Sequence, residues 1–179
     1  MAASPTTIWF GRAVFASIGL ITTLIAMLPL GLSAEARVMA DLLFCVAFAW
    51  VIRRPVTAPI TLILIAALLA DFLLMRPLGL WAFITLMASE LARSQRIPLR
   101  EQMFIVEWFI FALVFAVALF VNLIFLKFSF SPTPTFTLML AYFISTVAAY
   151  PIIVALLHWV FRVRAPQADG GYARFQRVS

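Results

Sequence analysis

The chain has 179 residues, 65% of them hydrophobic and 11% charged. A soluble domain is closer to half apolar and about a quarter charged, so a water-soluble fold of this length is excluded and a lipid-embedded one is expected. The formal charge of +6 does not mark a nucleic-acid binder: the basic residues lie between apolar runs, as topology determinants do, rather than along one face of a soluble fold.

Six apolar segments follow one another along the chain: about Ile8–Leu32, Val38–Ile52, Val56–Met75, Leu78–Leu91, Met103–Leu126 and Phe136–Phe161. A spanning helix needs about 20 residues. The first, third, fifth and sixth segments meet this. The second and fourth are short, and span only where protein covers their polar ends; otherwise they are re-entrant. Ala34-Glu35-Ala36 has the form of a signal-peptidase site. The apolar run before it exceeds the ~7–15 residues of a signal h-region, so a retained first helix is expected.

Orientation follows the positive-inside rule. With the N-terminus inside and six crossings, the inner side receives Arg12, Arg53, Arg54, Arg93, Arg96, Arg100, Arg162, Arg164, Arg174 and Arg177. The outer side receives Arg37, Arg76 and Lys127, a split of ten to three that four or five crossings would spoil. Trp9, Trp50, Trp81, Trp108 and Trp159 fall near segment ends, where an indole prefers the headgroup level. The fold expected is all-α: a compact bundle of six transmembrane helices over residues 1–164, both termini inside, with a polar, flexible cytoplasmic tail over 165–179. Its neighbouring helices are antiparallel, and no internal repeat marks an inverted-repeat transporter.

Polar residues inside such segments need a partner or a purpose. Asp71 and Arg76 flank the end of the third segment and are expected to approach each other across the turn through Gly79. Asp41, near the outer end of the second segment, has Arg37 and the Arg76 turn within reach. Asp41, Asp71, Arg76 and Gly79 therefore form an outer-face group, either a structural lock or a partner-contact site. On the inner face, Arg53, Arg54, Glu90, Arg93, Arg96 and Arg100 form a charged surface, a solvated loop or a docking site for a partner; Glu90 and Arg93 are helical neighbours. Glu107, about a turn into the fifth segment, has Arg53, Arg54 and Arg100 as possible partners.

Pro151 interrupts the sixth segment and kinks it. Lacking an N–H, it frees the carbonyl of Val147, which another helix must satisfy or tolerate. Ala66 and Ala70 permit close helix approach. Cys45 reads as a small buried hydrophobe. The lone His158 makes no metal site, and no nucleophile–base pair or phosphate loop stands out. No catalysis, cofactor or metal is expected.

The run Ala40-Asp41-Leu42-Leu43-Phe44 through Trp50, ending in Arg53-Arg54-Pro55, resembles a stretch of the MreD family, the small membrane subunit of the bacterial rod-shape machinery. Asp71 through Arg76-Pro77-Leu78-Gly79-Leu80 is similar to the same family's acidic residue and Pro-Leu-Gly turn, and Tyr150-Pro151 is similar to its sixth segment. Ala40 stands where the family pattern has proline. The resemblance implies a non-enzymatic scaffold or regulatory subunit in the bacterial inner membrane that binds MreC. It implies RodA, its penicillin-binding transpeptidase and MreB filaments in the wider complex, which builds peptidoglycan and sets cell shape. Self-association is left open. The family is also similar in fold to the substrate-binding subunits of energy-coupling-factor vitamin transporters, which makes a small-molecule binder the alternative.

Overall fold

The computed structural model describes residues 5–28, 40–96, 103–129 and 134–160. Among them are six α-helices and no strand: α1 (Pro5–Met27), α2 (Leu42–Arg53), α3 (Ile60–Leu73), α4 (Leu80–Ser94), α5 (Phe104–Phe128) and α6 (Phe136–Val160). A short 3-10 turn, Pro55–Thr57, joins α2 to α3. Three helical stretches, Ile8–Met27, Phe104–Phe128 and Phe136–Trp159, are long and apolar enough to cross a membrane, and they mark the chain as a membrane protein.

The short second helix sits at the centre. Every residue from Leu43 to Ile52 is buried, on all sides of α2. At about 1.5 Å per residue, its 12 residues cover only about 18 Å. A helix facing lipid would be too short at that length. This one is enclosed by α1, α4 and α6, so its ends meet protein instead. Its core partners are aromatic. Phe44 packs edge-on against Phe111 and Phe115 of α5. Phe48 meets Phe111 and Tyr150, and Phe15 of α1 sits edge-on to Trp50.

The outer helices divide into two apolar stripes. On α5, Glu107, Phe111, Phe115 and Ala118 face inward. Ile105, Phe109, Leu113, Val117 and Phe120 are exposed large hydrophobics at the same three- and four-residue spacings. A helix apolar on both faces is what a bilayer permits and water does not.

The third segment corrects the expected single run from Val56. Proline at position 59 holds Ala58 out of helical geometry, so a 3-10 turn comes first and α3 starts at Ile60. The tryptophan reading is corrected as well. Trp9 and Trp159 are exposed, but Trp50 and Trp81 lie in the core. Each is buried with its indole N–H satisfied, by Thr57 and Asp41 respectively, the condition under which a buried indole is tolerated. Ala66 lies 3.8 Å from where a Cβ on Gly19 would stand, which is the close α1–α3 approach its size permits.

Candidate functional site

The polar residues gather into two clusters, one at each end of α2. The first is centred on Asp41. Its backbone and Oδ1 start the helix: Oδ1 accepts from the Phe44 N–H at 3.0 Å, an N-cap. Its Oδ2 accepts from Trp81 Nε1 at 2.6 Å, from the Tyr142 hydroxyl at 2.8 Å and from Arg76 at 3.2 Å. The Asp41 N–H donates to Thr146 Oγ1 at 3.0 Å. One carboxylate thus ties together the start of α2, the α3–α4 turn, the start of α4 and the first half of α6.

Arg76 closes this cluster from the solvent side. Its guanidinium lies 5.6 Å from the centre of the Trp81 ring, a cation–π distance. Burial alone would lower its pKa; Tyr142 and Asp41 beside it outweigh burial and hold it above the ordinary arginine value. Arg76 and Asp71 do approach each other, the Arg76 N–H donating to the Asp71 carbonyl at 3.0 Å, but the side-chain ion pair is Arg76–Asp41. Asp71 is engaged elsewhere. Its Oδ2 accepts from the N–H groups of Gly79 at 3.1 Å and Ala82 at 3.0 Å. Gly79 occupies the N-cap position of α4 at φ 88° and brings no side chain of its own. The carboxylate that caps α4 is therefore supplied by the preceding helix.

The second cluster is centred on Glu107. Arg53, the last residue of α2, grips it with two hydrogen bonds of 2.9 and 3.2 Å, the paired geometry that makes arginine–carboxylate contacts strong. The Tyr150 hydroxyl donates to Glu107 Oε1 as well, and Arg53 also reaches the Ala49 carbonyl. Of the two described partners considered for Glu107, Arg53 and Arg54, Arg53 is the one engaged. Next to it, Trp108 Nε1 donates to the Val147 carbonyl at 2.9 Å. That is the carbonyl Pro151 leaves without a helical partner, so a side chain of α5 meets the need created by the kink in α6.

A third, smaller set ties α4 to the turn after α2. Arg93 pairs with Glu90 and donates to the carbonyls of Pro55 at 3.0 Å and Ala58 at 2.6 Å. Among the described residues Arg54 and Arg96 carry no ion pair, and Arg96 is exposed. Arg100 lies outside the described residues, as do Arg37, Glu101 and the 165–179 tail.

The expected outer group thus meets at one end of the bundle, Asp41 with Arg76 and Asp71 with Gly79. The inner group divides, Arg53 going to Glu107 and Arg93 to Glu90. Tyr142, Thr146 and Tyr150 were missed. Their signal is in the sequence: three polar side chains four residues apart form one stripe along an otherwise apolar helix. No family model, curated protein or solved structure matches the chain.

Proposed function

We propose that the chain is a six-span bacterial inner-membrane protein, both termini cytoplasmic, acting as an MreD-type scaffold that binds MreC. In this reading it is a non-enzymatic regulatory subunit of the cell-elongation machinery. RodA, its transpeptidase and MreB belong to the wider complex.

One observation carries the reading. The polar groups at both ends of α2 are spent on one another. All the hydrogen-bonding capacity in use at Asp41 and Glu107 goes to Trp81, Tyr142, Arg76, Phe44, Arg53 and Tyr150. What the bundle offers outward along α1, α5 and α6 is an apolar surface. Such a body suits lipid and the single helix of a partner better than a polar solute. The two stretches that resemble MreD, around Asp41 and from Asp71 to Gly79, also meet at the same joint. A vitamin-binding subunit would need Asp41, Asp71 and Arg76 turned toward a cavity; Asp41 and Arg76 are bonded to each other and to Tyr142, and of the three only Asp71 has an oxygen, Oδ1, left without a partner.

The test is co-expression with MreC and co-purification in detergent. Capture of MreC at a fixed stoichiometry is the expected result. A folded, monodisperse chain that never retains MreC overturns the proposal.

A further inference from the structure

The end of the bundle that carries Arg53 holds more positive charge than it neutralises. Among the described residues it has five arginines, Arg12, Arg53, Arg54, Arg93 and Arg96, and two carboxylates, Glu90 and Glu107. Arg53 and Arg93 take both carboxylates. Among the described residues Arg12, Arg54 and Arg96 have no ion pair.

These three are drawn to one place by packing. Gly11 presses on Thr57 so closely that a Cβ at position 11 would stand 2.5 Å from Thr57 Cγ2. This sets Arg12 beside the 3-10 turn. Arg54 opens that turn. Arg93, through its bonds to Pro55 and Ala58, holds the end of α4 against the same turn, and Arg96 lies three residues beyond. The α3 helix also begins here, without a side-chain cap, so its positive dipole end adds to the field.

Arg12 gives the second observation. Its guanidinium lies 5.0 Å from the centre of the Trp9 ring, and its Nε is buried with no acceptor. A buried donor without a partner is costly and rare. Around these cations the surface is apolar: Trp9, Phe10 and Val56 are all more than half exposed. A free anion would use the arginines alone. A phospholipid uses both features, its phosphodiester on the guanidinium groups and its chains on the ring surfaces.

We infer that this corner, between α1, the 3-10 turn and the end of α4, is a binding site for the phosphate headgroup of an anionic phospholipid of the cytoplasmic leaflet. The site rests on the membrane placement of the chain and not on MreC binding. Each arginine near an anionic surface contributes about 1 kcal/mol, which is roughly a fivefold change in affinity. Three together give on the order of a hundredfold preference over a neutral lipid.

The test uses the full-length chain, delipidated in non-ionic detergent, with binding followed by native mass spectrometry and by thermal unfolding. Phosphatidylglycerol, phosphatidylcholine with the same acyl chains, and inorganic phosphate are compared. Phosphatidylglycerol is expected to bind about a hundredfold tighter than phosphatidylcholine and to raise the Tm. The R12Q/R54Q/R96Q variant is expected to lose that preference while its lipid-free Tm changes little, since among the described residues none of the three holds an ion pair and only Arg12 gives up a contact, that with Trp9. Lys127→Gln, at the other end of the bundle, is expected to keep it. Should the triple variant be unstable, Arg54→Gln alone is expected to weaken phosphatidylglycerol about fivefold. Equal binding of the two lipids, a preference that survives the substitutions, or the same stabilisation by inorganic phosphate would each overturn the assignment. MreC capture by the same variant is independent of the outcome.

Discussion

Asp41→Asn changes one atom of the lock around Asp41 and keeps its shape. With the amide oxygen left at the Oδ1 position, the N-cap to Phe44 survives. The new NH2 then faces Trp81 Nε1, which stood 2.6 Å from the carboxylate oxygen, and the Tyr142 hydroxyl at 2.8 Å. A hydroxyl can turn and accept; an indole N–H cannot. Stranding it costs about 1–3 kcal/mol, and two charge-assisted bonds fall to neutral strength or are lost, at about 1 kcal/mol each. Flipping the amide rescues Trp81 but gives up the cap, worth about 1 kcal/mol. The Arg76 side chain is 31% exposed and recovers water, so its share is held to the ~0–1 kcal/mol of a surface pair. Either orientation loses about 3 kcal/mol. The assay is unfolding of the purified chain in mixed detergent titrated with SDS, with Trp81→Phe and the double variant completing a cycle. A coupling energy above about 1.5 kcal/mol between positions 41 and 81 is expected. An Asp41→Asn variant within about 0.5 kcal/mol of wild type, or strict additivity with Trp81→Phe, would refute the lock.

Three further outcomes follow from the packing. Gly11→Ala is expected to cost about 1–3 kcal/mol by overpacking, because its Cβ would stand 2.5 Å from Thr57 Cγ2; Thr57→Ser, which removes that methyl and keeps the hydroxyl bonded to Trp50, should restore part of the loss in the same unfolding assay, the Cβ at 2.9 Å remaining. Trp108→Phe is expected to destabilise the native chain by about 1 kcal/mol through the Val147 carbonyl, and to do less in a Pro151→Ala background, where the helix supplies its own N–H. Glu107→Gln should cost about 3–5 kcal/mol by leaving Arg53 without its counter-charge, measured by the same titration; a neutral result would mean that the Glu107 cluster is held by packing alone.

How far the sequence discloses this fold differs from residue to residue. The helical class follows from apolar runs of the right length, and each of the six segments holds one of the six described helices. The third was read through Pro59 because hydropathy does not register a proline, whereas backbone sterics do. The shortness of α2 was legible, but its cause was not: a helix buried on every side has the same apolar composition as one in lipid, and only the packing of α1, α4 and α6 separates them. Trp50 and Trp81 were misplaced for the same reason, since nearness to a segment end says nothing about which way an indole points. Asp41 and Arg76 were identified as neighbours in space, yet Arg76 was assigned first to Asp71, five residues away. The nearer carboxylate in sequence was already bound to the amides of Gly79 and Ala82, a use fixed by the αL turn at Gly79 rather than by charge. The Val147 carbonyl shows the opposite case. Its need for a partner follows from Pro151 alone, and only the identity of that partner, Trp108, required the fold.

The proposed six crossings around a buried α2 are tested most directly by mapping sidedness in intact cells. Single cysteines are placed at Met75, which is 92% exposed on the α3–α4 turn, at Arg54 and at Arg96, with native Cys45 left in place because it is buried. A membrane-impermeant maleimide is then applied before and after permeabilisation. Met75→Cys is expected to react in intact cells, and Arg54→Cys and Arg96→Cys only once the membrane is opened. Labelling of positions 75 and 96 from the same side would contradict the six-span bundle, because α4 would then not cross.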